Sequence, residues 1–190
     1  MKHSDLHFGS EFSPSESDLS KLIPIKNRAR PEITEFLRKP LSEILKEAKR
    51  QDKRTVTPEL EAVAFNLIRH LELAYIGTRW RKGKGVQVFG ERKDLVLKRW
   101  QLFCTNKSVD QDEVATEVGL MSYLGCDVSC IISTRKFLPR ARRYTEAIRP
   151  IFKGALVLID GRTLSDTFDR PKAFVKTVLS QVPFALVQRR

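Results

Sequence analysis

From Pro58 onward the spacing of apolar residues switches repeatedly between the period of a helix and that of a strand, which restricts the chain to a layered α/β fold. Thr57 is placed to cap a helix, Pro58 suits its first position, and Glu59 and Glu61 complement its positive end. Leu60, Ala64, Leu67, Ile68 and Leu71 then predict a helix over residues 58–73 with one core-facing stripe. Residues 86–91 and 95–105, rich in Val, Leu, Phe and Trp and separated by a charged turn, read as two antiparallel strands. Asp110 caps a second helix whose stripe is Val114, Val118, Met121 and Leu124, and Gly125 stops it. A short apolar strand over 128–133, a third helix marked by Leu138, Ala141, Tyr144 and Ile148, a buried strand over 155–159 closed by Asp160 and Gly161, and a last helix up to Pro183 complete the order. Meander strands followed by alternating helix and strand predict one mixed sheet with helices on both faces.

The remainder of the chain reads differently. Residues 1–20 are polar with few apolar anchors and read as a flexible tail. Pro24, Pro31 and Pro40 cut the next stretch into pieces, with one modest helical stripe at Leu41, Ile44, Leu45 and Ala48. The expected domains are therefore a 1–54 extension, partly flexible and partly helical, and a 55–190 globular unit. Cys104, Cys126 and Cys130 are an odd number without CxxC spacing, which argues against a disulfide framework and for a reducing, cytoplasmic setting. His3, His7 and His70 are scattered, His70 on the polar side of the first helix where it is expected to be exposed, and they offer no zinc spacing. No apolar run reaches the roughly 20 residues of a membrane helix, and the polar N-terminus lacks a signal-peptide core.

Charge narrows the class of partner. Lys and Arg number 35 against 23 Asp and Glu, a formal net charge of +12, which favours phosphate-bearing partners; an anionic membrane surface or an acidic protein satisfies the same charge. Between Arg79 and Lys107 nine cations and two acidic residues are interleaved with Trp80, Phe89, Trp100 and Phe103. RWRKGKG reads as a basic loop, so Arg79, Arg81, Lys82 and Lys84 are candidate phosphate contacts, with Gly83 and Gly85 allowing close backbone approach. The aromatics sit on predicted strands and read as core more readily than as base-stacking platforms. A second cluster, Arg135, Lys136, Arg140, Arg142 and Arg143, surrounds the start of the third helix, where it reads either as an anion contact or as a solvated face.

Four strings in this order, RWQLFCTN (99–106), DEVATEVGLMSYLGCDVSCIIST (112–134), RARRYTEAI (140–148) and ALVLIDGRTL (155–164), resemble the Mrr-like branch of the PD-(D/E)xK restriction-endonuclease superfamily. The resemblance implies a restriction-endonuclease-like mixed sheet flanked by helices and a DNA rather than an RNA partner. It also implies a Glu on the first helix, an Asp on a core strand and a Gln/Glu-x-Lys on the next strand, converging on Mg²⁺ beside the scissile phosphate. Glu61 or Glu59 suits the helix position. The remaining positions carry no matching charge: Gln87 stands where the Asp is expected, Phe103 where the Gln is expected and Thr105 where the Lys is expected. Asp94 and Lys107 lie near enough in sequence to act as migrated replacements beside Glu61.

These readings lead to a nucleic-acid-binding protein with a catalytically degenerate Mrr-type domain, no cofactor, and backbone contacts through Arg79, Arg81, Lys82, Lys84, Arg140, Arg142 and Arg143. Two rivals are an Mg²⁺-dependent endonuclease using Glu61, Asp94 and Lys107, and an interaction module whose protein partner docks on residues 1–54.

Overall fold

The computed structural model describes residues 58–81, 83–91, 99–167 and 170–182, together with Glu43, Lys46 and Glu47. Those three isolated residues are helical and fall within the short helix expected there. The tail, the boundary near Arg54, Thr57, Lys82, Asp94 and Pro183 lie outside the described residues.

Helix α1 (Pro58–His70) leads into three antiparallel strands, β1 (Ala74–Arg81), β2 (Gly85–Glu91) and β3 (Arg99–Thr105). Helix α2 (Gln111–Tyr123) crosses to β4 (Val128–Ser133), and α3 (Pro139–Ile148) crosses to β5 (Ala155–Ile159), each strand adding parallel to the one before. Two helices, α4 (Gly161–Thr167) and α5 (Pro171–Ser180), follow. The five strands lie in the sheet in chain order. This is the α/β restriction-endonuclease-like architecture, a mixed sheet with helices on both faces. Among the described residues no helix is long and apolar enough to cross a membrane.

Strand alternation divides the core in two. Val86, Val88, Trp100, Leu102 and Cys104 point to one face, where they pack with Leu60, Val63 and Leu67 of α1 and with Leu164, Phe174 and Val178 of α4 and α5. Phe103, Ile131 and Leu156 point to the other, under Val114 of α2 and Phe137 and Ala141 at α3. Trp100 and Phe103 are thus core residues, and Trp80 packs half-buried against the first cluster. All three cysteines are free thiols; burial drives Cys104 well above its ordinary pKa and pushes Cys126 and Cys130 up to about 12, so they behave as small apolar groups.

Four local expectations need correction. The first helix ends at His70 rather than at residue 73, because Glu72 takes a left-handed conformation (φ 54°) and the Leu73 amide reaches back to the Ile68 carbonyl at 2.9 Å. That stop is normally written as glycine, and here the sequence carries none. His70 is partly buried rather than exposed, and burial followed by Arg69 lowers its pKa. Arg79, Trp80 and Arg81 belong to β1, a strand the sequence reading passed over as loop; it lies at the edge of the sheet, and its half-exposed residues and Gly77 blur the alternation. Asp160 and Gly161 do not simply end β5: Asp160 accepts hydrogen bonds from the Thr163 amide and hydroxyl, both at 2.9 Å, and thereby starts α4.

Candidate nucleic-acid interface and expected metal-site positions

The three parallel strands end on the same edge of the sheet, where open α/β folds bind ligands. The loops that follow β3 and β4 are tied together there by the Val109–Phe137 bridge. The Lys107 ammonium donates to the Gly83 carbonyl, and the Thr105 hydroxyl donates to the Lys84 carbonyl at 2.6 Å, which brings the β1–β2 turn to the same edge. The two basic clusters, separated by about fifty residues in sequence, therefore flank one edge: Arg81 and Lys84 at the turn, Arg140 and Arg143 on the exposed side of α3. Arg79 is exposed on β1.

Three of the described candidate cations, Arg142, Arg81 and Lys84, are already engaged. Arg142 donates to Asp160 at 2.7 Å and lies over the Phe137 ring, 5.6 Å from its centroid. Burial alone would raise the Asp160 carboxyl, but the Thr163 hydrogen bonds and Arg142 together hold it below its ordinary value. Arg81, expected on a solvated loop, is only 11% exposed. One of its nitrogens, Nη1, contacts carboxylates of both Glu117 and Glu113, the latter at 3.2 Å, while the guanidinium lies over Phe103 at 5.1 Å. Glu113 also pairs with Lys84 at 3.8 Å.

Gln87 and Phe103 are direct cross-strand partners, and Thr105 lies two residues further along the same face. The positions expected to carry a metal site are therefore assembled together, but their chemistry is different. Gln87 donates to Glu117 at 2.7 Å; Gln101 donates to the same carboxylate oxygen at 2.9 Å and lies 3.1 Å from the Ser129 hydroxyl. Phe103 fills the middle of the face and is fully buried, with its ring pressed so close to Gly85 that an added Cβ there would come within 2.7 Å of it. Gly85 thus makes room for the Cys104 carbonyl, still nearer to such a Cβ, and for the Phe103 ring. Glu61 sits on the opposite side of the sheet. Its charge acts on Tyr75, whose hydroxyl is raised by burial, lowered by its Thr78 bond and raised again by Glu61; Tyr75 packs with the α1 cluster.

The residue that sequence reasoning missed is Glu117. It is fully buried and receives donors from β1, β2 and β3. Burial, the dominant influence, pushes its carboxyl up to about 7; Arg81 and the Gln87 bond oppose the rise, Glu113 adds to it and Arg79 opposes it. The available signal was an acidic residue three positions after Val114 and four before Met121, within the apolar stripe of a helix.

A divalent metal of the kind the resemblance implies does not fit these residues. Phe103 has no donor atom, the Thr105 hydroxyl is committed to Lys84, the Gln87 amide nitrogen faces Glu117, and Glu61 is across the sheet. Among the described residues no three His, Cys, Asp or Glu side chains are grouped as a metal cluster.

Residues 53–168 match the Mrr_cat family model, described as a restriction endonuclease. The chain belongs to this family. No curated protein matches the Mrr_cat chain by sequence. Among solved structures it is similar to the MspJI restriction endonuclease in complex with a 27-mer oligonucleotide, with 13% identity and a TM-score of 0.32 over 95% of this chain and 36% of that one. The Mrr_cat chain thus spans about a third of that protein's length.

Proposed function

We propose that this Mrr_cat domain binds nucleic acid, DNA in the first instance, through its backbone phosphates and does not cut it. The reading rests above all on the face shared by Gln87, Phe103 and Thr105, where an aromatic ring and amide donors stand in place of carboxylates and lysine. The carboxylates nearest this face, Glu113 and Glu117, are taken up by Arg81 and by the Gln87 and Gln101 amides, which leaves little to hold a divalent ion or orient water beside a phosphate. The surrounding edge is cationic: Lys84, Arg140 and Arg143 are exposed, and Arg79 lies on the edge strand. Contacts of this kind position a duplex without reading bases, so binding is expected to be salt-sensitive and independent of Mg²⁺.

The migrated-site alternative gains little support. Lys107 is held by a backbone carbonyl and Glu61 faces α1's side of the sheet. The deciding experiment incubates supercoiled plasmid and single strands with the protein and Mg²⁺ or Mn²⁺, alongside binding titrations from 50 to 200 mM salt. Intact DNA with affinity falling at least tenfold over that range is the expected result. Metal-dependent cleavage lost in Asp94→Ala would establish the rival, and salt-insensitive binding would remove the phosphate-contact reading.

A further inference from the structure

Arg81 is the most buried of the described candidate phosphate contacts, and the groups covering it are acidic. We propose that Glu113 and Glu117 form an internal carboxylate latch that withholds Arg81 from nucleic-acid phosphate, and that a bound strand competes with the latch for this cation. The proposal rests on the nucleic-acid reading above and adds a means of controlling it.

The geometry of the latch is uneven, which is what an exchangeable contact requires. Guanidinium groups bind oxyanions best through paired parallel donors. Here a single nitrogen, Nη1, serves two carboxylates. The outer contact, to Glu113 Oε1 at 3.2 Å, is an ion pair in which that oxygen has no hydrogen-bond partner. Glu113 is 21% exposed and so stands at the rim, where a phosphate arriving from solvent meets it first. The same carboxylate lies 3.8 Å from Lys84, but that ammonium is 51% exposed, so solvent screens this pair and its contribution is small beside that of Arg81.

Departure of Arg81 would not strand the inner carboxylate. Glu117 Oε2 keeps its amide donors from Gln87 and Gln101 at 2.7 and 2.9 Å, and burial already favours its neutral form. Leaving a buried charge unpaired is the usual reason such ion pairs do not open, and these amides reduce that cost. The exchange is then between two oxyanion environments for one guanidinium: internal carboxylates without nucleic acid, a backbone phosphate with it.

The test uses the full chain and a fluorescein-labelled 20-base-pair duplex in fluorescence-anisotropy titrations at several salt concentrations, with circular dichroism to verify folding. Glu113→Gln is expected to tighten binding about three- to tenfold at 0.1 M salt and to steepen the salt dependence by about one phosphate contact. Asp112→Asn, which removes the same charge one residue away, should tighten it less than twofold if only general repulsion is relieved. Adding Arg81→Ala, or Arg81→Gln if the alanine variant folds poorly, should abolish the gain from Glu113→Gln. Equal effects of Glu113→Gln and Asp112→Asn, or a gain that survives loss of Arg81, would overturn the latch while leaving nucleic-acid binding intact. Absence of binding by every variant at 50 mM salt would overturn the nucleic-acid reading and the latch with it.

Discussion

The two faces of the sheet are built from the same strands but by different rules. Beneath α1, every inward residue of β2, β3 and β4 is apolar: Val86 and Val88, then Trp100, Leu102 and Cys104, then Val128, Cys130 and Ile132. Beneath α2 and α3 the same strands present Gln87, Gln101 and Ser129 beside Phe103 and Ile131, and a buried glutamate completes the set. Buried amides and a carboxylate add less stability than an apolar replacement of equal volume, so the second face is not arranged for stability alone. The first face holds the domain together. The second brings together the positions at which the family resemblance places a metal site, with Arg81, Glu113 and Glu117 beside them.

The contrast is most directly challenged by truncating one residue of the apolar face. Leu102→Ala, at a fully buried position, should cost about 2–5 kcal/mol in urea unfolding, as expected for a cavity in a well-packed core. A loss below 1 kcal/mol would mean that this face is not the principal source of stability.

A smaller effect distinguishes the polar face by its response to pH. Glu117 has its carboxyl raised from an ordinary 4.5 to about 7, so the folded state holds this proton more tightly than the unfolded chain does. Its contribution to stability is therefore greatest below about pH 4.5, declines as pH rises through the interval, and levels off above about pH 7. The decline should amount to roughly 1–3 kcal/mol and should disappear in Glu117→Gln. Unfolding curves at half-unit pH steps measure it; an unchanged slope in the variant would assign the titration to other groups.

The smallest expected change concerns the rim. Helix α2 is capped by Asp110, which accepts from the Glu113 amide at 2.9 Å, whereas α3 begins at Leu138 without a side-chain cap and with Arg140 and Arg142 in its first turn. Leu138→Asp should stabilise the fold by about 0.5–1 kcal/mol through capping and the helix dipole, and should weaken DNA binding by placing an anion between Arg140 and the phosphates. Stabilisation without weaker binding would place α3 outside the interface.

The helix over the apolar face and the ends of α2 were largely legible in the sequence because their signals are local. Leu60, Ala64, Leu67 and Ile68 repeat at helical spacing within one segment, and Asp110 and Gly125 mark the ends of α2 by their own backbone preferences. The edge strand β1 and the short helix α4 were not legible, since β1 is half-exposed and α4 depends on Asp160 turning its carboxylate onto Thr163.

The site divides along the same line. That Phe103 cannot ligate a metal and that Thr105 cannot supply a cation follows from residue identity alone. That Arg81 is sheltered rather than solvated, and that Glu117 joins Gln87 and Gln101 in one buried network, was settled only by tertiary structure. Glu117 lies thirty residues beyond Gln87 and sixteen beyond Gln101. Their meeting depends on the β2–β3 register and on how α2 lies across the sheet, neither of which is encoded in the spacing of residues within a single element.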